Sequence, residues 1–389
     1  MTVKKDVKRI PQLRFSEFEG EWKETRLDEV FSILNGYAFS SNDAQNSGCR
    51  WVKIADVGIN EMKTDTLSYL PMSFQDKYKN FRLNKDDFVI ALTRPILSGK
   101  LKIAKVGKLF DGALLNQRVG KLISTNVREY VYHFLQCVPV INKIENRIAG
   151  SDPPNLSPNE IGSIRTYIAD SPEQEKIASF LSAVDKKIQQ LTRKKEQLEQ
   201  YKKGVMQKIF SQEIRFTDDN GKDYPDWQEK KLGDIFRIRY GKDYKHLNEG
   251  DVPVFGTGGI MTYVDTYLYD KPSVLIGRKG SINAPQFTEK PFWTVDTLFY
   301  TEINNEYEPF FVYQVVSLIN WMKYNEATGV PSLNTTSINS VKVEVPALFE
   351  EQVHISKFLR NIEHKIATVQ SQLNQTQTFK KGLLQQLFV

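Results

Sequence analysis

Residues Glu173 to Phe210 recur without a gap, 178 residues further on, as Glu351 to Phe388. Glu173/Glu351, Gln174/Gln352, Ile177/Ile355, Phe180/Phe358, Leu181/Leu359, Ile188/Ile366, Gly204/Gly382 and Phe210/Phe388 are identical pairs. Lys202-Lys203-Gly204 returns as Lys380-Lys381-Gly382. An internal repeat of this kind sets the architecture before single elements are assigned, because each copy has the same face to bury. In the first copy the apolar residues step by four and three through Ile177, Leu181, Val184, Ile188 and Leu191, then by seven to Leu198 and Val205 and by four to Ile209. The second copy gives Ile355, Leu359, Ile362, Ile366, Val369, Leu373, Leu383 and Leu387. Both are heptad seams. No proline interrupts either, so each predicts one helix about 55–60 Å long. A helix of that length cannot cover its own seam. The two seams match in phase and residue type, so an antiparallel pair is expected, which would make the chain pseudo-two-fold. Lys195, Lys202 and Lys380 interrupt the seams. They are expected either to reach out to water along the helix or to leave room for another protein.

Two further segments echo each other around these helices. Leu13-Arg14-Phe15 before Glu21-Trp22 matches Ile214-Arg215-Phe216 before Asp226-Trp227. Leu27, Phe31 and Gly36 then align with Leu232, Phe236 and Gly241. Each segment closes on a similar stretch, Pro154-Asn155-Leu156 through Ile168 and Pro331-Ser332-Leu333 through Val345. The closing stretches Ile164 to Ile168 and Val341 to Val345 alternate apolar and polar residues and predict strands. Phe88 to Leu92 and Ser273 to Ile276 predict buried strands. The expected fold is therefore α+β: two similar mixed α/β domains joined by two long helices in an antiparallel coiled coil. The expected boundaries are 1–170, a first helix 171–210, a second domain 211–347 and a second helix 348–389.

The 389 residues are enough for two or three real cores. Two cysteines, Cys49 and Cys137, exclude a disulfide framework and a four-cysteine zinc site, and suit a cytoplasmic setting. No apolar run reaches 18 residues, so no membrane span is expected. Met1 to Arg9 is basic without an apolar core and does not form a secretory signal. The net charge of +6 is compatible with nucleic acid without demanding it. Asp152-Pro153-Pro154-Asn155 approaches the Asp/Asn-Pro-Pro-aromatic motif of amino-methyltransferases but lacks the aromatic residue, and the second segment has Val330-Pro331-Ser332 instead. Phe255-Gly256-Thr257-Gly258-Gly259 has the wrong glycine spacing for a dinucleotide site. Gly99-Lys100 and Gly241-Lys242 lack the rest of a phosphate-binding P-loop. His133, His246, His354 and His364 show no metal spacing. No catalytic residue, metal or cofactor is expected.

The middles of the two segments diverge. Each predicted buried strand leads into a basic, glycine-containing loop: Thr93 to Lys100 in the first, Gly277 to Asn283 in the second. Asn116-Gln117-Arg118 and Asp296-Thr297 form a second matching pair. One scaffold carrying variable polar loops is how a binding module changes specificity. Arg pairs with guanine, Asn and Gln with adenine, and Lys or Ser with phosphate. Arg94, Ser98, Lys100, Asn116, Gln117, Arg118, Arg278, Lys279, Ser281 and Asn283 are therefore the candidate DNA-binding residues, with Arg94 and Arg278 expected at equivalent places. The aromatic residues Tyr37, Phe39, Tyr240, Tyr244, Tyr263 and Tyr267 read as core or rim and stay outside the site.

This arrangement resembles the specificity subunits of type I restriction-modification enzymes across essentially all 389 residues. The resemblance rests on the alternation of segment and helix and on Glu-Gln-x-x-Ile-x-x-Phe-Leu opening both helices. It rests also on Trp-x-x-x-x-Leu (Trp22/Leu27, Trp227/Leu232), on Val274-Leu275-Ile276-Gly277-Arg278-Lys279-Gly280-Ser281, and on Phe292-Trp293-Thr294-Val295-Asp296-Thr297. It implies a non-catalytic subunit that binds a bipartite, asymmetric sequence in double-stranded DNA, one half-site per recognition domain. It also implies that the helices space the half-sites and dock two methyltransferase subunits, which nuclease/translocase subunits join. The residues alone leave two alternatives: a DNA methyltransferase or nuclease with its own recognition modules, and a coiled-coil assembly scaffold.

Overall fold

The computed structural model describes residues 9–65, 67–148 and 153–389. Most of the Met1 to Arg9 segment, and Asp152 of the Asp-Pro-Pro-Asn stretch, lie outside the described residues. The chain divides into two compact units. Unit one runs to Thr192 and takes in Ser371–Val389; unit two is Arg193–Gln370.

Unit one is built on a four-stranded sheet of β1 (Ser32–Asn35), β2 (Phe88–Ala91), β3 (Ile103–Lys105) and β4 (Val119–Ile123), in the order β1-β4-β2-β3. Every neighbour is antiparallel. All four residues of β2 are buried, which is why this strand is a continuous apolar run rather than an alternating one. A smaller three-stranded sheet joins Cys49–Val52 antiparallel to Tyr69–Leu70 and parallel to Leu114–Leu115. A third ladder pairs Lys23–Arg26 with Arg165–Ile168 and ties the opening of the unit to its close.

Unit two repeats the plan. Its sheet contains β5 (Phe236–Tyr240), β6 (Ser273–Gly277), β7 (Gln286–Thr288) and β8 (Leu298–Ile303), in the order β5-β8-β6-β7. A smaller sheet again combines an antiparallel pair, Val252–Gly256 with Gly259–Val264, and a parallel one to Trp293–Thr294. Gln228–Lys231 pairs with Lys342–Val345 as the closing ladder. Topology, hydrogen-bonding sense and closure coincide, so the faint sequence echo is one α+β fold built twice.

The two repeats form α1 (Ser171–Phe210) and α2 (Phe349–Gln386). Asp170 starts α1 by accepting the Glu173 N–H at 3.1 Å. The helices pair antiparallel within each unit. In unit one, Ile177, Leu181 and Val184 share the core with Leu383, Leu387 and Phe388. In unit two, Met206 and Ile209 share the core with Ile355, Leu359 and Ile362.

The repeated Glu-Gln dipeptide is what fastens each helix to its unit. Glu173 is buried, receives Arg14 through Nε and Nη2 at 2.8 Å each, and accepts the Trp22 indole N–H at 3.1 Å. Gln174 accepts the Val127 N–H at 3.2 Å and donates to the Ala169 carbonyl at 2.9 Å. In unit two, Glu351 accepts the Trp227 indole at 3.0 Å, but Arg215 stands 3.9 Å away. Gln352 accepts the Glu308 N–H at 2.9 Å.

Two of the three seam lysines depart from expectation. Lys202 meets Glu363 of α2 at 2.6 Å, and Lys380 meets Asp185 of α1 at 2.7 Å and Gln136 at 2.9 Å. These two cross-helix pairs occupy the same place in the repeat. They neither reach out to water nor leave a vacancy, because the partner helix supplies a carboxylate opposite each ammonium. Lys195 pairs along its own helix with Glu199 at 3.4 Å. His133, buried beside the Lys380 pair, is held well below the usual imidazole range, by burial first and then by Lys380 and Lys105.

Candidate nucleic-acid interface

Backbone hydrogen bonds put the two units into register. In unit one the Leu92 N–H donates to Arg118 at 2.9 Å, and the Leu92 carbonyl accepts from Leu156 at 2.7 Å. The Arg94 N–H then donates to Pro154 at 2.7 Å. In unit two the Arg278 N–H donates to Thr297 at 2.8 Å, and the Arg278 carbonyl accepts from Leu333 at 2.9 Å. The Gly280 N–H donates to Pro331 at 2.9 Å. Leu92 therefore corresponds to Arg278, Arg94 to Gly280 and Arg118 to Thr297. The expectation that Arg94 and Arg278 are equivalent is corrected: they sit two residues apart on a common frame. Basic side chains do not mark the register, because the strand ends are defined by backbone partners far away in the chain.

Around this frame unit one gathers Arg94, Gln117 and Arg118. Arg118 and Gln117 line a groove with Asn35, Leu92, Thr93 and Asn155. Arg94 and Arg118 line its neighbour with Lys102 and Ile54. Arg94 holds a φ of 47° and Ser98 a φ of 51°, both in the left-handed region that non-glycine residues rarely occupy. Such strain clusters at ligand-binding sites. Ser98 lies in the exposed turn between Ile96–Leu97 and Lys100–Leu101, and the exposed Lys100 opens the second of these strands; both stand apart from the groove lining. Asn116 is half-buried and spends its Oδ1 on the Arg118 N–H at 3.2 Å, so it shapes the turn that presents Gln117 and Arg118. Lys102 was not singled out by sequence. Burial, and then Lys63 and Arg94, hold its ammonium below the usual lysine range. Uncompensated like charges of this kind favour an anionic ligand. The signal available was its alternation with Lys100 across the buried Leu101.

In unit two Arg278 is half-buried while Lys279 and Ser281 are exposed. The Arg278 guanidinium donates from Nη1 to the Asp296 carbonyl at 3.2 Å and lies 5.6 Å from the centre of the Tyr240 ring. Tyr240, read as a core or rim residue from sequence, is 54% exposed at this surface. Asn283 accepts the Trp321 N–H at 2.8 Å, so its carbonyl oxygen is committed to the fold. Among the described residues no group of three or more His, Cys, Asp or Glu side chains is placed to hold a metal. None of the described helices is long and apolar enough to cross a membrane.

The model of the type I restriction modification DNA specificity domain matches this chain twice, at residues 19–200 and 224–378. The MjaVIII type I restriction enzyme specificity subunit of Methanocaldococcus jannaschii is 28% identical over 211 residues, covering 54% of this chain and 50% of that protein. The EcoAI specificity subunit of Escherichia coli is 29% identical over 162 residues, covering 41% of this chain and 27% of its own length. The chain thus aligns with half or less of these curated relatives. The crystal structure of a type I restriction-modification S subunit from M. genitalium superposes with a TM-score of 0.68 at 18% identity, over 98% of this chain and 99% of that one, which is a likeness of fold. With the specificity-domain model matching once in each unit, the chain belongs to the type I restriction-modification specificity subunit family.

Proposed function

We propose that this chain is the DNA sequence-recognition subunit of a type I restriction-modification complex, acting in the cytoplasm and carrying out no catalysis itself. Recognition domains 1–170 and 211–347 each bind one half of a bipartite, asymmetric duplex target. The helices 171–210 and 348–389 set the spacing between the halves and dock two methyltransferase subunits, which nuclease/translocase subunits join.

The observation that carries this reading is one backbone frame, built twice, with different polar side chains at the same strand ends. Unit one offers Arg94, Gln117 and Arg118 there, and unit two offers Arg278, Lys279 and Ser281. A frame that stays constant while its polar tips change is what reading two unlike half-sites requires. Ser98, Lys100, Asn116 and Asn283 complete the proposed contact set, the last two mainly by shaping loops.

The purified chain should transfer no methyl group from labelled S-adenosylmethionine to DNA. With the cognate methyltransferase subunits present, it should bind and direct methylation of a duplex carrying one bipartite motif. Methyl transfer by the isolated chain would overturn the non-catalytic assignment. A complex that assembles but shows no sequence preference would overturn the recognition role.

A further inference from the structure

We propose that Arg278 reads a guanine in the half-site of unit two, that Tyr240 is its positioning residue, and that Arg118 supplies the corresponding guanidinium in unit one. This rests on the recognition role above and adds which residues read a base and which base they read.

One cross-strand pair stands at the corresponding end of each sheet. Extending the β4–β2 register by one residue sets Arg118 opposite Leu92, joined by the Leu92 N–H to Arg118 hydrogen bond. Extending the β6–β8 register in the same way sets Arg278 opposite Thr297, joined by the equivalent bond. Residues directly opposite in an antiparallel ladder share one face of the sheet. Each unit therefore carries one arginine at this pair, from β4's turn in unit one and from the end of β6 in unit two. Arg94 lies outside the pair.

The environment of Arg278 distinguishes a base reader from a phosphate clamp. Its backbone is held on both sides, by Thr297 and Leu333. Its guanidinium lies over Tyr240 and commits Nη1 to the Asp296 carbonyl. Arg239 and Arg360 of the same unit stand against Glu302 at 2.9 Å and Glu289 at 2.7 Å, whereas among the described residues Arg278 faces no carboxylate. An oriented arginine with unspent donors and no counter-ion matches the two acceptors, O6 and N7, on the major-groove edge of guanine. The exposed Lys279 and Ser281 beside it suit the less directional task of holding phosphates.

Unit one solves the same geometry differently. Asn35 stands where unit two has Tyr240, since Gly36 donates to Val119 as Gly241 donates to Leu298, both at 3.1 Å. With Leu92 and Asn35 in place of Arg278 and Tyr240, the surface is hollowed into the groove that Arg118 and Gln117 line. The guanidinium then has to come from the facing residue.

The test uses the full chain assembled with its methyltransferase subunits, with binding measured on duplexes substituted at each motif position and methylated motifs read by sequencing. Arg278→Ala should weaken the intact target about ten- to a hundredfold and remove the preference for guanine at one position of one half-site, leaving the other half-site unchanged. Arg278→Gln should move that preference toward adenine. Tyr240→Phe should behave as the parent, because it keeps the ring. Tyr240→Leu should lose most of the discrimination while affinity for substituted duplexes stays the same. Arg118→Ala should relax one position of the other half-site, and Arg94→Ala should relax none. If Arg278→Ala and Arg278→Gln weaken all duplexes equally and lower the salt dependence by about one counterion, Arg278 is a phosphate contact and the proposal fails. If the unsubstituted complex already binds all duplexes alike, the recognition role itself fails.

Discussion

Glu173→Ala should destabilise unit one by about 3–5 kcal/mol, the loss expected when one partner of a buried ion pair is removed. The substitution leaves two groups stranded. Arg14 loses both of its 2.8 Å bonds, and the Trp22 indole N–H loses its acceptor inside the core. Hydrogen exchange at Lys23–Arg26 and at the first turns of α1 should report the opening locally. The corresponding residue of unit two should behave in the opposite way. Glu351 is buried with one carboxylate oxygen lacking any partner and Arg215 3.9 Å distant, and burial raises its pKa above the ordinary 4.5. A carboxyl whose folded pKa lies above its unfolded value contributes stability below about pH 4.5, and that contribution is lost as pH rises through the folded value. Glu351→Gln keeps an acceptor for the Trp227 indole and removes the buried charge. It should therefore leave stability at neutral pH unchanged or raised, with the gain over the parent growing as pH rises from about 4.5. A destabilised Glu351→Gln chain at pH 7 would show that Arg215 compensates the charge despite the distance.

Asp185→Ala should cost unit one about 3 kcal/mol, while Lys380→Met should stay within about 1 kcal/mol of the parent. Lys380 is 6% exposed and its ammonium is held by Asp185 and Gln136. Removing the carboxylate strands a buried cation beside neutral His133. Removing the ammonium, with an unbranched chain kept in its place, leaves Asp185 with about a third of its side chain in water. Chemical denaturation of the two variants side by side checks the asymmetry. Equal losses would mean that the pair contributes packing rather than charge compensation.

The helices were legible because a heptad seam is a local pattern, and a seam repeated with identical residues also names its partner. The buried strands Phe88–Ala91 and Ser273–Gly277 were legible for the same reason, as short apolar runs followed by turn residues. The counter-charges on Lys202 and Lys380 were not, because Glu363 and Asp185 lie on the other helix and become neighbours only once the antiparallel register is known. The purpose of the Glu-Gln dipeptide was hidden likewise, since Arg14 and Trp22 stand more than a hundred residues from Glu173. At the candidate site the basic loops could be found, but not their alignment. Leu92 and Arg278 are equivalent by their backbone partners, which no comparison of side chains reveals. Tyr240 is not legible because an aromatic residue on a strand reads as core or rim, and its exposure beneath the Arg278 guanidinium is a tertiary fact.

Each unit is proposed to read its own half of the target. This is tested most directly by exchanging unit one, from about Trp22 to Ile168, for the same unit of a related chain, and sequencing the methylated motifs of cells carrying the hybrid. One half-site should change to that of the donor, while the other half-site and assembly with the methyltransferase subunits are retained. A hybrid that assembles but alters both half-sites, or neither, would contradict it.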